Sequence, residues 1–151
     1  MKTKLRLLTL LIAFGITGIS QSFAQDLHRN QVPSLVMNSF KKEFPKVKNA
    51  EWEMSKGLYE VEFKISRMDY EIWYNAEGDL VKMKREMRSR DLADSIKDSV
   101  KAYYKGYRIG DVEKLTQNGR SVYKIEMKNL REDFDVFVDE SGKIIEGYIW
   151  N

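Results

Sequence analysis

Glu51, Glu53, Glu60, Glu62 and Glu71 are the residues of this chain with the clearest capacity for chemistry. Spaced by two within short runs, their carboxylates would share one face of neighbouring strands. A close pair there can exchange a proton with a substrate, and a cluster can hold a calcium ion. The same spacing also describes the wet face of a sheet with lysines as cross-strand partners, and that plainer reading is the one adopted. The single histidine, His28, precedes the first periodic element, and the chain has no cysteine. A Ser-His-Asp arrangement, a histidine-based metal cluster and thiolate chemistry are therefore excluded. No glycine-rich phosphate loop or nucleophile elbow is present. The expectation is a chain with no catalytic residues, no metal site and no cofactor.

Aromatic residues give the stronger signal. Tyr70, Ile72 and Tyr74 alternate with Glu71 and Trp73, and Phe134, Val136 and Val138 alternate with Asp135 and Phe137. Trp73 and Phe137 thus point away from the apolar face of their strands. Large aromatics on an open sheet face mark recognition surfaces, so Trp73 and Phe137 are the candidate binding residues. The alternative is that the neighbouring half of the chain or its end covers them, and Tyr148 and Trp150 stand in place to do so.

The elements that must position these residues occur twice. "YEVEFKISRMDYEIWYNAEGDLV", from Tyr59, aligns without a gap on "YKIEMKNLREDFDVFVDESGKII", from Tyr123. Tyr59 falls on Tyr123, Glu62 on Glu126, Lys64 on Lys128, Arg67 on Arg131, Asp69 on Asp133 and Gly78 on Gly142. Charged identities in register point to an internal duplication. A helical pattern precedes each copy. Val32, Leu35, Val36, Phe40 and Phe44 mark one face of "VPSLVMNSFKKEFP", which Pro45 stops. Leu92, Ile96, Val100, Tyr103 and Tyr107 mark the other. "NAEG", "DESG" and "QNGR" supply hairpin turns. The expected fold class is α+β, two tandem repeats, each one helix packed on about four antiparallel strands. Repeat 1 is placed at 32–87, a linker at 88–91 and repeat 2 at 92–151.

Residues 1–24 stand apart. Lys2, Lys4 and Arg6 precede an apolar run from Leu7 to about Ile19, followed by Ser22-Phe23-Ala24. This is the pattern of a secretory signal peptide cut after Ala24. Residues 25–31 then form a flexible mature N-terminus. No later stretch is long and apolar enough to cross a bilayer. The signal segment carries three of the chain's 26 basic residues and no acidic ones, leaving 23 of each sign. The balance gives no reason to expect a nucleic acid or an anionic membrane as partner. The basic run Lys82, Lys84, Arg85, Arg88 and Arg90 reads as a solvated strand end and linker.

"VPSLVMNSFKKEFPKVKNAEWE", "GLYEVEF" and "YEIWYNAEGDLV" together resemble the PepSY-like family of exported bacterial proteins, itself described as similar to secreted beta-lactamase inhibitor proteins. The second copy departs from that pattern, with Lys105 and Val112 where the first has Pro45 and Trp52. The resemblance implies tandem helix-plus-sheet repeats and an exported binding module, without implying lactamase inhibition. The chain is therefore expected to be a non-enzymatic protein of the periplasm or the secreted fraction. Its partner would be another protein or a peptide, met through the open sheet faces. Two alternatives are a small-ligand carrier, with a pocket between helix and sheet lined by Tyr59, Tyr70 and Tyr74, and a carboxylate-dependent hydrolase using Glu60, Glu62 and Glu71.

The export reading has a direct check. Mass spectrometry of the exported protein is expected to give Gln25 as the first residue; a membrane-bound product that retains Met1 would overturn it.

Overall fold

Residues 25–150 are described by the structure, a computed structural model. The proposed signal segment, 1–24, lies outside the described residues. Strand β1 (Gln25–Leu27) leads into helix α1 (Ser34–Glu43), followed by β2 (Glu51–Ser55), β3 (Leu58–Ile65), β4 (Met68–Tyr74) and β5 (Leu80–Met87). Helix α2 (Asp94–Tyr103) is followed by β6 (Arg108–Gln117), β7 (Arg120–Lys128), β8 (Asp133–Asp139) and β9 (Ile144–Ile145). The strands form one antiparallel sheet in which spatial order equals chain order. Among the described residues no helix is long and apolar enough to cross a membrane.

The two helices end alike. Phe44, before Pro45, has left the helical region at φ −123° and ψ 60°, and Tyr104 has done so at φ −104° and ψ 67°. The second helix has no proline there, and Gly106 turns the chain at φ +88°. Val36, Met37 and Phe40 bury the inner stripe of α1, and Ile96 and Val100 that of α2. The contact rows run at intervals of four: Val32, Val36, Phe40 and Phe44 in one half, and Leu92, Ile96, Val100 and Tyr104 in the other. Leu35 and Tyr103, expected on those stripes, are exposed because each stands one residue off its row.

Two apolar clusters result. Phe40 meets Trp52 and Phe63 edge-on, each with ring centroids 5.3 Å apart, over Val61 and Ile72. Ile96 and Val100 sit over Val112, Ile125, Met127, Val136 and Val138. Met83 of β5 packs on the first cluster and Met87 on the second. Four residues apart on one strand, they face the same way, so both helices lie on one side of the sheet. Among the described residues the other side carries no helix.

One segment differs from expectation and another is more ordered than a bare connection. Residues 25–31 are not a loose lead-in. Gln25 pairs with Met54 and Leu27 with Trp52, and Leu27 packs against the first cluster. An uncovered β2 would leave a row of unpaired backbone groups, and β1 satisfies three of its positions. Residues 88–91 connect β5 to α2, and they are ordered. Ser89–Asp91 form a 3-10 turn ahead of α2, as Arg29–Gln31 do ahead of α1. The halves are joined through the sheet itself, by a β5–β6 register running from Lys82↔Gln117 to Met87↔Val112.

The turns after β4 and β8 press on the helices. Gly78 has φ +87°, and a Cβ there would lie 2.9 Å from the Leu35 carbonyl oxygen. Gly142 has φ +91°, and its Cβ would lie 3.1 Å from the Ser95 carbonyl oxygen. Ser99 Oγ donates to the Gly142 carbonyl at 2.6 Å. Gly119, at φ +74°, has open space where a Cβ would go. Gly119→Ala is expected to cost about 1–2 kcal/mol from backbone strain alone. Gly78→Ala is expected to cost about 1–3 kcal/mol more, because the helix backbone cannot yield as a side chain would. Urea titration of both variants compares them; equal losses would contradict the turn–helix contact.

Candidate functional site on the open face of the sheet

The side of the sheet without helices is built from the out-of-phase residues of each strand. One cross-strand row reads Glu51, Glu62, Glu71, Lys84, Leu115, Val122 and Asp139. The adjacent row reads Glu53, Glu60, Trp73, Lys82 and Gln117. Glu62 and Glu71 are direct cross-strand neighbours of like charge. Carboxylate oxygens of Glu60, Glu62 and Glu71 all lie within 4.8 Å of one another. Partial burial, with Glu71 and Glu53 adding to it, pushes the Glu60 carboxyl up, while a hydrogen bond donated by the Trp73 indole N–H opposes the shift. Glu62 is also pushed up, first by burial and then by Glu71 and Glu60. Lys84 relieves one member, with its Nζ 2.5 Å from Glu71. The donor set suits a hard divalent cation or a basic side chain. Glu62 is exposed, and Glu60 and Glu71 are half-buried.

The second half carries the same frame with one decisive change. Lys124 stands where the first half has Glu60, and it reaches Glu113 at 3.3 Å and Asp135 at 3.2 Å. Glu126, the counterpart of Glu62, is held below the usual carboxylate range by hydrogen bonds from Lys128 and from the Asp111 backbone. One half of the open face therefore concentrates negative charge and the other neutralises it.

Trp73 and Phe137 both point to the open face, as alternation requires, but neither stands bare. Trp73 is only 7% exposed. Trp150 lies edge-on to it at 6.2 Å, and Lys82 Nζ sits 4.3 Å from the Trp73 ring centroid and 5.3 Å from that of Trp150. Phe137 is half-buried, with Tyr148 at 5.0 Å. Gly147, at φ +66°, turns the chain after β9. Tyr148 and Trp150 are half-buried while Ile149 between them is 72% exposed. Leu115 and Val122 add to this apolar set, at 2% and 8% exposure. They are the site residues that sequence reasoning missed. Each lies three residues from a core residue of its own strand, Val112 and Ile125, and so faces the other way.

The remaining candidates fall into place around this face. Tyr74 is buried and fills the first core, and Tyr70 stacks on Phe63 at 5.2 Å. The tyrosines that would line a carrier's pocket are thus packing residues. The basic run divides by strand parity: Lys82 and Lys84 lie on the open face among glutamates, and Arg85 lies on the helix side. An open recess of about 260 Å³ beside Trp150 is lined by Leu58, Glu60, Trp73, Lys82 and Lys84, among others.

The fold and site together define a helix-backed antiparallel sheet with one open, charged and aromatic face. The chain belongs to the family described as "Putative beta-lactamase-inhibitor-like, PepSY-like", whose pattern matches residues 12–82 and again 57–146. A DUF2874 family protein from Bacteroides uniformis superposes with a TM-score of 0.65 at 18% identity, covering 76% of this chain and 86% of its own. A BLIP-like protein from Bacteroides fragilis gives 0.63 at 18% identity, over 76% of this chain and 84% of its own. A protein from Bacteroides eggerthii described among "putative periplasmic proteins" gives 0.65 at 13% identity, with 76% and 86% covered. Comparison with curated protein sequences finds no match.

The two halves are expected to respond oppositely to pH. Glu62 is raised above its ordinary value of 4.5 in the folded chain, so its penalty is present above the folded value and gone below 4.5. Glu126 is lowered, so its stabilisation is present above 4.5 and lost as pH falls through the folded value. Glu62→Gln should raise Tm at pH 7 and leave it unchanged below about pH 4.5, whereas Glu126→Gln should lower it at pH 7. Calorimetric melts across this range decide; shifts of the same sign at pH 7 would contradict the contrast.

Proposed function

We propose that this chain is an exported, non-enzymatic binding module that recognises a protein or peptide in the periplasm through the open face of its sheet. It is built as two repeats, each a helix on the four strands that follow it. The observation that carries the reading is the asymmetry of that face. Both helices and both cores lie on one side, and the other side collects the only partly compensated glutamates of the first half and the aromatic set around Trp73 and Phe137. A face of this make-up offers charge for steering and orientation and aromatic area for affinity. The beta-lactamase-inhibitor-like family description, the BLIP-like relative and the one described as periplasmic support the same reading.

A hydrolase finds less support. The carboxylate trio lies on an open sheet, has an exposed member in Glu62, and is partly compensated by Lys84. A general acid needs a site that excludes water and fixes a substrate beside it.

The test is capture from periplasmic extract by the immobilised mature chain, repeated with variants. Glu53→Lys combined with Glu62→Lys should abolish capture, and Lys101→Glu on α2 should not affect it. Trp73→Ala and Phe137→Ala should each weaken capture by about 2 kcal/mol. Unchanged capture by folded open-face variants would remove this surface from the reading.

A further inference from the structure

The segment after Gly147 lies on the open face in a manner that describes what the face accepts. Tyr148 meets Phe137, Trp150 meets Trp73, and Ile149 between them points to solvent. This is an extended segment laying alternate side chains onto a surface, with two aromatics two residues apart. Residues 148–150 belong to no strand of the sheet, and their rings meet Trp73, Phe137 and Lys82 there. Leu115 and Val122 give the same face two buried apolar positions on β6 and β7, two of the three strands between those of Trp73 and Phe137. Gly147 is the turn that aims the segment, and it has open space around its Cα.

We propose that the open face is a docking surface for a short extended partner segment with aromatic residues at positions i and i+2. Residues Tyr148–Trp150 are its resident occupant, and the partner binds by displacing them. The inference rests on the binding-module reading and names the partner's chemistry at that site. A tethered occupant acts at an effective concentration of about millimolar, so it shields the aromatics of the free protein yet yields to a segment with better contacts. The recess beside Trp150 is lined by Glu60 and Lys84 among others, charged groups next to the resident ring.

The experiment uses the full mature chain carrying Tyr148→Ala and Trp150→Ala, with the synthetic peptide Gly-Tyr-Ile-Trp-Asn as probe. Circular dichroism and a cooperative denaturation curve establish that the variant folds. Nuclear magnetic resonance titration to about 1 mM peptide should show saturable binding at Trp73, Lys82 and Phe137. The unaltered chain should bind at least about tenfold more weakly, because its own segment competes. Gly-Tyr-Trp-Ile-Asn, which breaks the spacing, should also bind about tenfold more weakly, since only alternate residues of an extended segment reach one face. No binding by the folded variant, or equal binding of the two peptides, would overturn the proposal. Failure of both this variant and the single Trp150→Ala chain to fold would also overturn it, by making the segment a structural cover. Concentration-dependent dimerisation of the unaltered chain would overturn the partner assignment in favour of a second copy. Peptide binding without any open-face-dependent capture would leave the docking surface standing and remove the periplasmic-partner reading. Capture that is lost with Glu53→Lys and Glu62→Lys but unchanged with Tyr148→Ala and Trp150→Ala would do the reverse.

Discussion

The backbone register between β5 and β6 is the constraint on which the rest of this molecule depends. Six consecutive pairs, from Lys82↔Gln117 to Met87↔Val112, join the strand that ends one half to the strand that begins the other. Without that pairing each half would expose a long strand edge, a template for association. The pairing needs a particular length. From α1 to α2, Ser34 to Asp94, the halves are sixty residues apart; from β3 to β7, Tyr59 to Tyr123, they are sixty-four apart. The added residues lie in the β6–β7 hairpin, which turns at Asn118-Gly119 where the β2–β3 hairpin turns at Lys56-Gly57. They place Thr116 and Gln117 opposite Met83 and Lys82, so that the hairpin reaches toward the far end of β5.

A continuous sheet has two continuous faces, and two helices can cover only one. Met83 and Met87 each pack under a different cluster from the same side of β5, which puts both helices there. The opposite face must then be made tolerable to water by its side chains. In the second half this is done by pairing charges, with Lys124 between Glu113 and Asp135. Such exposed pairs contribute at most about 1 kcal/mol each, so their effect is chiefly to remove repulsion. The first half keeps the repulsion, because Glu60 occupies the position of Lys124. A face optimised for stability would hold a lysine at both positions. The retained glutamate is the kind of local conflict found where a surface serves another purpose.

Around Trp73 the charged and apolar parts of the face meet. Glu60 stands opposite it across the ladder, Lys82 lies over the ring, and Trp150 stands against its edge. The carboxylate group and the aromatic group therefore share a residue. A change in the position of Trp150 would alter the burial of Trp73 and so the surroundings of Glu60. Charge and aromatic area on this face are physically coupled, and a partner that moves one will be felt by the other.

The amino-acid sequence alone determined the α+β class, the repeated order of elements, the core positions Phe40, Ile72, Val100 and Val136, and the direction in which Trp73 and Phe137 point. These follow from local periodicity and from turn residues, which act within a few residues along the chain. The alternation of Glu60, Glu62 and Glu71 was equally legible as a charged face. Tertiary structure decided what depends on meetings between distant segments. It made β1 of residues that looked like a loose tail, because β2 had an edge to satisfy. It added a shared ladder to the connection at 88–91, because β5 and β6 could pair in register. It brought three glutamates within 4.8 Å in one half and set Lys124 among their counterparts in the other. It also chose between the two readings of Trp73 and Phe137, laying Trp150 against the first and Tyr148 against the second.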